Sequence, residues 1–169
     1  MTLDTVLAWI GDNPSYAQYL ILGLACFEAV VGIGLFIPGA ILLTVAVFLY
    51  AQQLISIEAI FMAAFIGAFI GDQSGYWIGR WIGPAFHTTT FAARHRQRID
   101  RTEALIRRYG WGAILFGRIM TAIRSIVPLI TGISGYSFRK YLIFDCLAIG
   151  VWSLLLCAAV VGTNGLLAD

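Results

Sequence analysis

An apolar stretch at residues 116–135 contains two arginines, Arg118 and Arg124, and this combination restricts the fold more than any other feature. An arginine at membrane depth costs at least about 3 kcal/mol, so such residues face protein or a water-filled cavity. The two arginines are six residues apart, and on a continuous helix they would point about 240° apart. Pro128 and Gly132 favour a break nearby. The stretch is therefore predicted to be a re-entrant hairpin that carries a positive site.

Composition places this stretch in a membrane. Of the 169 residues, 60% are hydrophobic and 12% are charged, and the mean hydropathy is +0.85. This mixture is far from that of an ordinary soluble domain and predicts an integral membrane protein. The length suits one membrane domain over residues 1–169, with no room for a separate soluble module.

The basic residues are distributed unevenly. Residues 1–79 contain no Lys or Arg and five acids, whereas all eleven basic residues lie from Arg80 onward, six of them in residues 84–108. The positive-inside rule makes 84–108 a basic cytoplasmic loop and places Arg139 and Lys140 on the same side, with both termini outside. A short basic loop between spans needs no nucleic-acid partner to explain it. The histidines in this loop lack the spacing of metal ligands, so no metal or cofactor is expected.

The apolar segments are of two lengths. Ile57–Gly83 and Tyr141–Val161 suit complete spans, which need about 20 residues. The run from Tyr19 to Ala51 has 33 residues and is broken at Pro38 and Gly39, so a re-entrant hairpin is expected there. The spacing of apolar residues in 1–10 predicts a short interfacial helix.

Two faces of the first predicted span, Ile57–Gly83, carry residues that recur at every fourth position. Glycines recur at every fourth position, which predicts close packing of another helix. Asp72, Tyr76 and Arg80 recur on a neighbouring face and are expected to form a polar stripe toward the interior. Asp72 is interpreted either as an ion-pair partner or as a proton or substrate contact. The five glycines are Gly67, Gly71, Gly75, Gly79 and Gly83.

The two halves match in layout. Glu28 precedes Pro38 by ten residues, as Arg118 precedes Pro128. Only the second half has positive charges at both ends of its interrupted segment, so the halves are expected to insert with opposite orientation. The predicted fold is all-α, with two inverted repeats (1–83 and 109–169), each a re-entrant helical hairpin followed by a transmembrane helix. Such repeats place a transporter site near the bilayer midplane.

Three segments resemble the DedA family of membrane proteins, also called the SNARE-associated or VTT-domain family. They are FEAVVGIGLFIPGA at 27–40, GDQSGYWIGRWIG at 71–83, and the run from RYGWGAILFGR to LAIGVW at 108–152. The resemblance implies a lipid translocase of the bacterial cytoplasmic membrane, with undecaprenyl phosphate or a phospholipid as substrate. It also implies functional roles for Glu28, Arg118 and Arg124. Where the family usually has an acid after Pro-Gly this chain has Ala40, so proton coupling would depend on Glu28 or Asp72.

The chemistry of the arginines agrees with this expectation. A guanidinium binds phosphate oxygens through a fork of hydrogen bonds, so Arg118 and Arg124 are predicted to bind the phosphate head group. Arg118 is also the expected partner of Glu28 in an ion pair, whereas Arg124 has no acid at the equivalent place in the first half, where Gly34 stands. The alternative function is a proton-coupled exporter of small cations or drugs, or a channel. An enzyme is not expected, and a homo-oligomer is left open.

Overall fold

The computed structural model of this chain describes residues 15–32, 34, 39–86, 93, 96, 100, 104, 108–110, 112, 114–115 and 124–168. Five helices and no strands are found among these residues, so the predicted all-α class is confirmed. In chain order they are α1 (Ser15–Ala29), α2 (Gly39–Ala51), α3 (Ile57–Phe86), α4 (Ile126–Ile133) and α5 (Phe138–Ala168).

Two of the five helices are long and apolar enough to cross a membrane. They are Ile57–Gly83 within α3 and Phe138–Leu166 within α5, and these candidate spans coincide with the two predicted complete spans. The helices α1 and α2 have 15 and 13 residues, and each is shorter than the roughly 20 residues that a crossing requires. The predicted interfacial helix at 1–10 and most of the basic loop at 84–108 lie outside the described residues.

The two long helices pack antiparallel. Tyr141 at the start of α5 donates a hydrogen bond to the carbonyl of Asp72 (3.2 Å), and the Sγ of Cys157 lies 3.8 Å from the carbonyl oxygen of Ile57. Residues late in α5 therefore lie beside residues early in α3. Side chains near the middle of α3 consequently face the first two turns of α5.

The glycine-lined face of α3 packs against α1 and α4, as the glycine spacing predicts. A Cβ on Gly67 would overlap the carbonyl of Leu22 in α1, and a Cβ on Gly79 would overlap the carbonyl of Leu129 in α4. Between them, a Cβ on Gly75 would meet Val31 at 3.0 Å and Pro128 at 3.2 Å. The end of α1 and the start of α4 therefore meet near the middle of α3.

In the second half, the interruption of helical structure lies at a different position from the one predicted near Pro128 and Gly132. Pro128 is the third residue of α4, and in the first helical turn its missing N–H leaves no intrahelical bond unmade. Gly132 is also within α4, where it allows the helix to approach the carbonyl of Tyr76. The chain turns instead at Arg124 and Ser125, before α4, and at Gly135, whose φ is 71°.

Candidate functional site

A buried ion pair joins the two halves of the chain. Glu28 lies in the last turn of α1, and Arg124 lies in the turn that precedes α4. Arg124 Nη1 is 3.0 Å from Glu28 Oε1, and the two side chains are only 5% and 3% exposed. A charge pair removed from water to this degree needs additional hydrogen bonds or polar contacts to offset the loss of hydration.

The carboxylate of Glu28 also lies at the start of α2. Its Oε1 is 2.7 Å from the position that a Cβ on Gly39 would occupy, so only glycine leaves room for it. The N-terminus of a helix favours a nearby negative charge. Arg124 and the first turn of α2 therefore both stabilise the Glu28 carboxylate.

The guanidinium of Arg124 has two further neighbours of different kinds. Its Cζ lies 4.9 Å from the centre of the Trp152 ring, in a cation–π contact with α5. Its Nη2 is buried and has no hydrogen-bond partner among the residues that the structure describes. One side of the guanidinium is thus held by Glu28, and the donor on the other side is not used in this part of the chain.

A cavity of about 10 Å³ adjoins Arg124, which is roughly the room that one water molecule needs. Asp145 of α5 reaches this cavity and is 2% exposed. Its Oδ2 accepts a hydrogen bond from Gln73 Nε2 of α3 at 3.1 Å. The lining residues are Ile114, Arg124, Val127, Pro128, Tyr141 and Asp145.

Two stacked tyrosine rings lie beside the site, near the start of α5. The rings of Tyr76 and Tyr141 lie 4.5 Å apart at an angle of 14°, and Tyr76 donates to the carbonyl of Tyr136 at 2.7 Å. Asp72 is 1% exposed beside them. Arg80, however, is exposed, so the predicted polar stripe is buried only at Asp72 and Tyr76.

The structure brings together some of the predicted site residues. Glu28 and Arg124 are in contact, and Asp72 is buried nearby on α3. Arg118 and Pro38 lie outside the described residues. Arg118 was the expected partner of Glu28, whereas the partner that the described residues show is Arg124, because the turn before α4 brings its side chain to the end of α1. A comparison of equivalent positions in the two halves cannot reveal a pair that forms between non-equivalent positions.

Four residues of the site had no predicted role. Asp145 carried a usable signal, because an acid within a complete span is as costly as an arginine there. Tyr141, Asp145 and Trp152 also fall within about 40° on one helical face. The contact of Gln73 with Asp145 depends on the antiparallel register of α3 and α5, which sequence spacing does not supply. The four are Gln73, Tyr141, Asp145 and Trp152.

Fold and site together define a helical membrane protein in which charged groups are buried where short helices end. The family model of the VTT domain matches residues 37–162, which is most of the chain. The chain therefore belongs to the VTT-domain family, also called the DedA family. Arg124, Asp72 and Asp145 lie within the matched range, and Glu28 precedes it. No curated protein and no solved structure is significantly similar to the chain.

Proposed function

We propose that this protein translocates phosphate-bearing lipids across the bacterial cytoplasmic membrane, with undecaprenyl phosphate as the favoured substrate. The observation that carries the proposal is Arg124, a guanidinium only 5% exposed that is held at the junction of α1 and α4. Its Nη2 is not used by the described residues. Membership of the VTT-domain family supports a membrane transport role.

The donor set of Arg124 suits a phosphate head group. A guanidinium presents its N–H groups in a rigid fork that matches two phosphate oxygens. The cavity beside Arg124 has room for about one water, which is too little for a phosphate. The proposal therefore includes a widening of this cavity, by movement of α4 relative to α3 and α5, when a phosphate enters. Arg118 is proposed as the second arginine of the site.

The proposal includes two inverted repeats with re-entrant hairpins. The shortness of α1 and α2 supports it, because neither could cross a membrane alone. The repeat equates Gly34 with Arg124, and an ideal Cβ on Gly34 would lie 3.3 Å from the Cβ of Ser125. A pseudo-two-fold axis between the two halves brings equivalent positions close together where it passes. The proximity of Gly34 and Ser125, which are nearly equivalent, therefore supports such an axis at the site. Val31 and Pro128 meet α3 at Gly75, near the middle of this helix, so the proposed axis would pass close to the bilayer midplane.

Reconstitution into proteoliposomes tests the proposal. Labelled polyprenyl phosphate and ordinary phospholipids are supplied side by side, and their transbilayer movement is measured. We expect Arg124→Lys to lower polyprenyl phosphate translocation at least tenfold, because lysine keeps the charge but loses the planar fork. The matched control is Arg96→Lys, at a side chain 83% exposed, which should leave the rate unchanged. Full activity of Arg124→Lys would contradict a bidentate phosphate site.

A second candidate is a proton-coupled exporter of small cations or drugs, or a channel. Three carboxylates are buried in the described residues, against one buried guanidinium, and an excess of acid favours a cation. The same proteoliposomes distinguish the two functions. Ion or drug flux without lipid movement would support the exporter, and lipid movement without such flux would support the translocase. The acids are Glu28, Asp72 and Asp145.

A further inference from the structure

Asp145 and Arg124 line the same small cavity. Asp145 is 2% exposed, reaches the cavity beside Arg124 and accepts a hydrogen bond from Gln73. We propose that Asp145 takes up a proton when lipid phosphate binds to Arg124, and so couples translocation to pH. This inference rests on the proposed function, and it assigns the proton to a carboxylate for which the sequence predicted no role.

The argument begins with the two sides of the guanidinium. Nη1 of Arg124 is occupied by Glu28 at 3.0 Å, whereas Nη2 has no hydrogen-bond partner among the described residues. A phosphate that binds to Arg124 at this cavity lies next to Asp145, because both residues line it. Two anions side by side at a buried site repel each other strongly, because little water screens them.

Protonation of Asp145 removes this repulsion. The proton comes from the aqueous phase and forms an O–H bond on the carboxylate, and no other bond forms or breaks. The neutral acid can then donate a hydrogen bond to a phosphate oxygen. Gln73 can keep its hydrogen bond to the other oxygen in both protonation states, so the side chain stays in place while its charge changes.

The other ionisable groups nearby are less suited to this role. Glu28 of α1 is in contact with Arg124 and with the start of α2, and both stabilise its charge. Asp72 of α3 is buried but does not line the cavity, and Tyr141 on the same helix as Asp145 is neutral in its ordinary state. Among the described residues, Asp145 is therefore the carboxylate that lines the cavity beside Arg124.

Asp145→Asn is the decisive variant. The amide has the shape of the protonated acid, keeps an acceptor for Gln73 and can donate to phosphate, but it cannot bind the proton. Binding of a short-chain polyprenyl phosphate to the purified full chain is measured by calorimetry at a series of pH values. We expect the parent to take up about one proton more per lipid than Asp145→Asn does, with a pH slope steeper by up to about tenfold per unit.

The lipid phosphate itself also binds protons. Because this proton uptake is the same for every variant, it cancels when the variants are compared. Asp100→Asn is the matched control, the same replacement at an exposed acid, and it should behave like the parent. A second variant, Gln73→Leu, removes the hydrogen bond to the charged form of Asp145. Its pH profile should move upward by about one unit, which tests the inference independently if Asp145→Asn does not fold.

The outcomes separate the inference from the function on which it rests. Proton uptake and a pH slope in Asp145→Asn equal to those of the parent would overturn the role of Asp145 while leaving lipid binding at Arg124 intact. An unshifted profile in Gln73→Leu would overturn it as well. Absence of polyprenyl phosphate binding in the parent at every pH would instead refute the proposed function.

Discussion

At the scale of single residues, the guanidinium of Arg124 is in contact with a carboxylate, an indole and a cavity. The Glu28 and Trp152 contacts come from α1 and α5, so one side chain ties three parts of the chain together. Burial of both charges makes their hydration loss large, and a buried pair of this kind is retained for what it positions more than for the stability that it adds.

A double-mutant cycle measures this coupling. Arg124→Gln and Glu28→Gln should each lower the free energy of unfolding by about 3 to 5 kcal/mol, because each leaves one buried charge without its partner. The double variant should lose less than the sum of the two. Thermal unfolding in detergent provides the measurement.

The same cycle at Arg96 and Asp100, an exposed pair at 3.9 Å, should give a coupling below about 1 kcal/mol and serves as the control. Additive losses at Glu28 and Arg124 would contradict an energetically coupled pair.

The sequence indicated the site residues only through the free-energy cost of placing a charged side chain in an apolar segment. Glu28 and Arg124 could be selected because charges in apolar stretches demand a reason, and the structure places them in contact. Their pairing could not be predicted, because it depends on the turn at Arg124 and Ser125 and on the meeting of α1 with α4. Asp145 could have been selected by the same cost argument, whereas Gln73 could not, since an amide in a span is far less unusual.

At the scale of elements, α3 organises the helices through its glycine-lined face. The close approach of α1 and α4 brings their backbone carbonyls against α3 where any larger residue would carry a Cβ. This part of the fold was predictable from spacing, because five glycines at every fourth position form one ridge. The position of the turn in the second half was not predictable, because Pro128 is compatible with the first turn of α4 and does not interrupt that helix.

Gly79→Ala tests the importance of this close approach. Its Cβ would overlap the carbonyl of Leu129, so α4 must shift outward, and overpacking of this kind typically costs about 1 to 3 kcal/mol. We expect lower thermal stability in detergent together with slower lipid translocation, because Arg124 precedes α4 directly. Gly23→Ala in α1 is the control, since nothing lies within 4 Å of its added Cβ. Equal behaviour of the two variants would show that α4 does not depend on the ridge.

At the scale of the whole molecule, α3 and α5 run antiparallel, so the end of α5 lies beside the start of α3. Arg139 and Lys140 lie at the start of α5, near the end of α3 that leads into the basic loop. The positive-inside rule assigns that end to the cytoplasm. The far end of α5 is therefore predicted to lie outside.

Cysteine labelling tests this orientation. His95→Cys and Gly165→Cys are introduced separately into a variant that lacks the three native cysteines, and a membrane-impermeant reagent is applied to intact cells. The outer position 165 should be labelled at once, and position 95 only after the membrane is opened. Labelling of both positions from the same face would rule out the predicted topology.

The ion pair between Glu28 and Arg124 also determines an order of events during synthesis. The partners are separated by 96 positions in the chain, and a ribosome adds roughly 5 to 20 residues per second. Glu28 is therefore added to the chain roughly 5 to 20 seconds before Arg124 is. During that interval an acid facing lipid is expensive, so the nascent first half must remain near the water interface or hold a proton. The buried ion pair can form only when the second half has brought Arg124 to the end of α1.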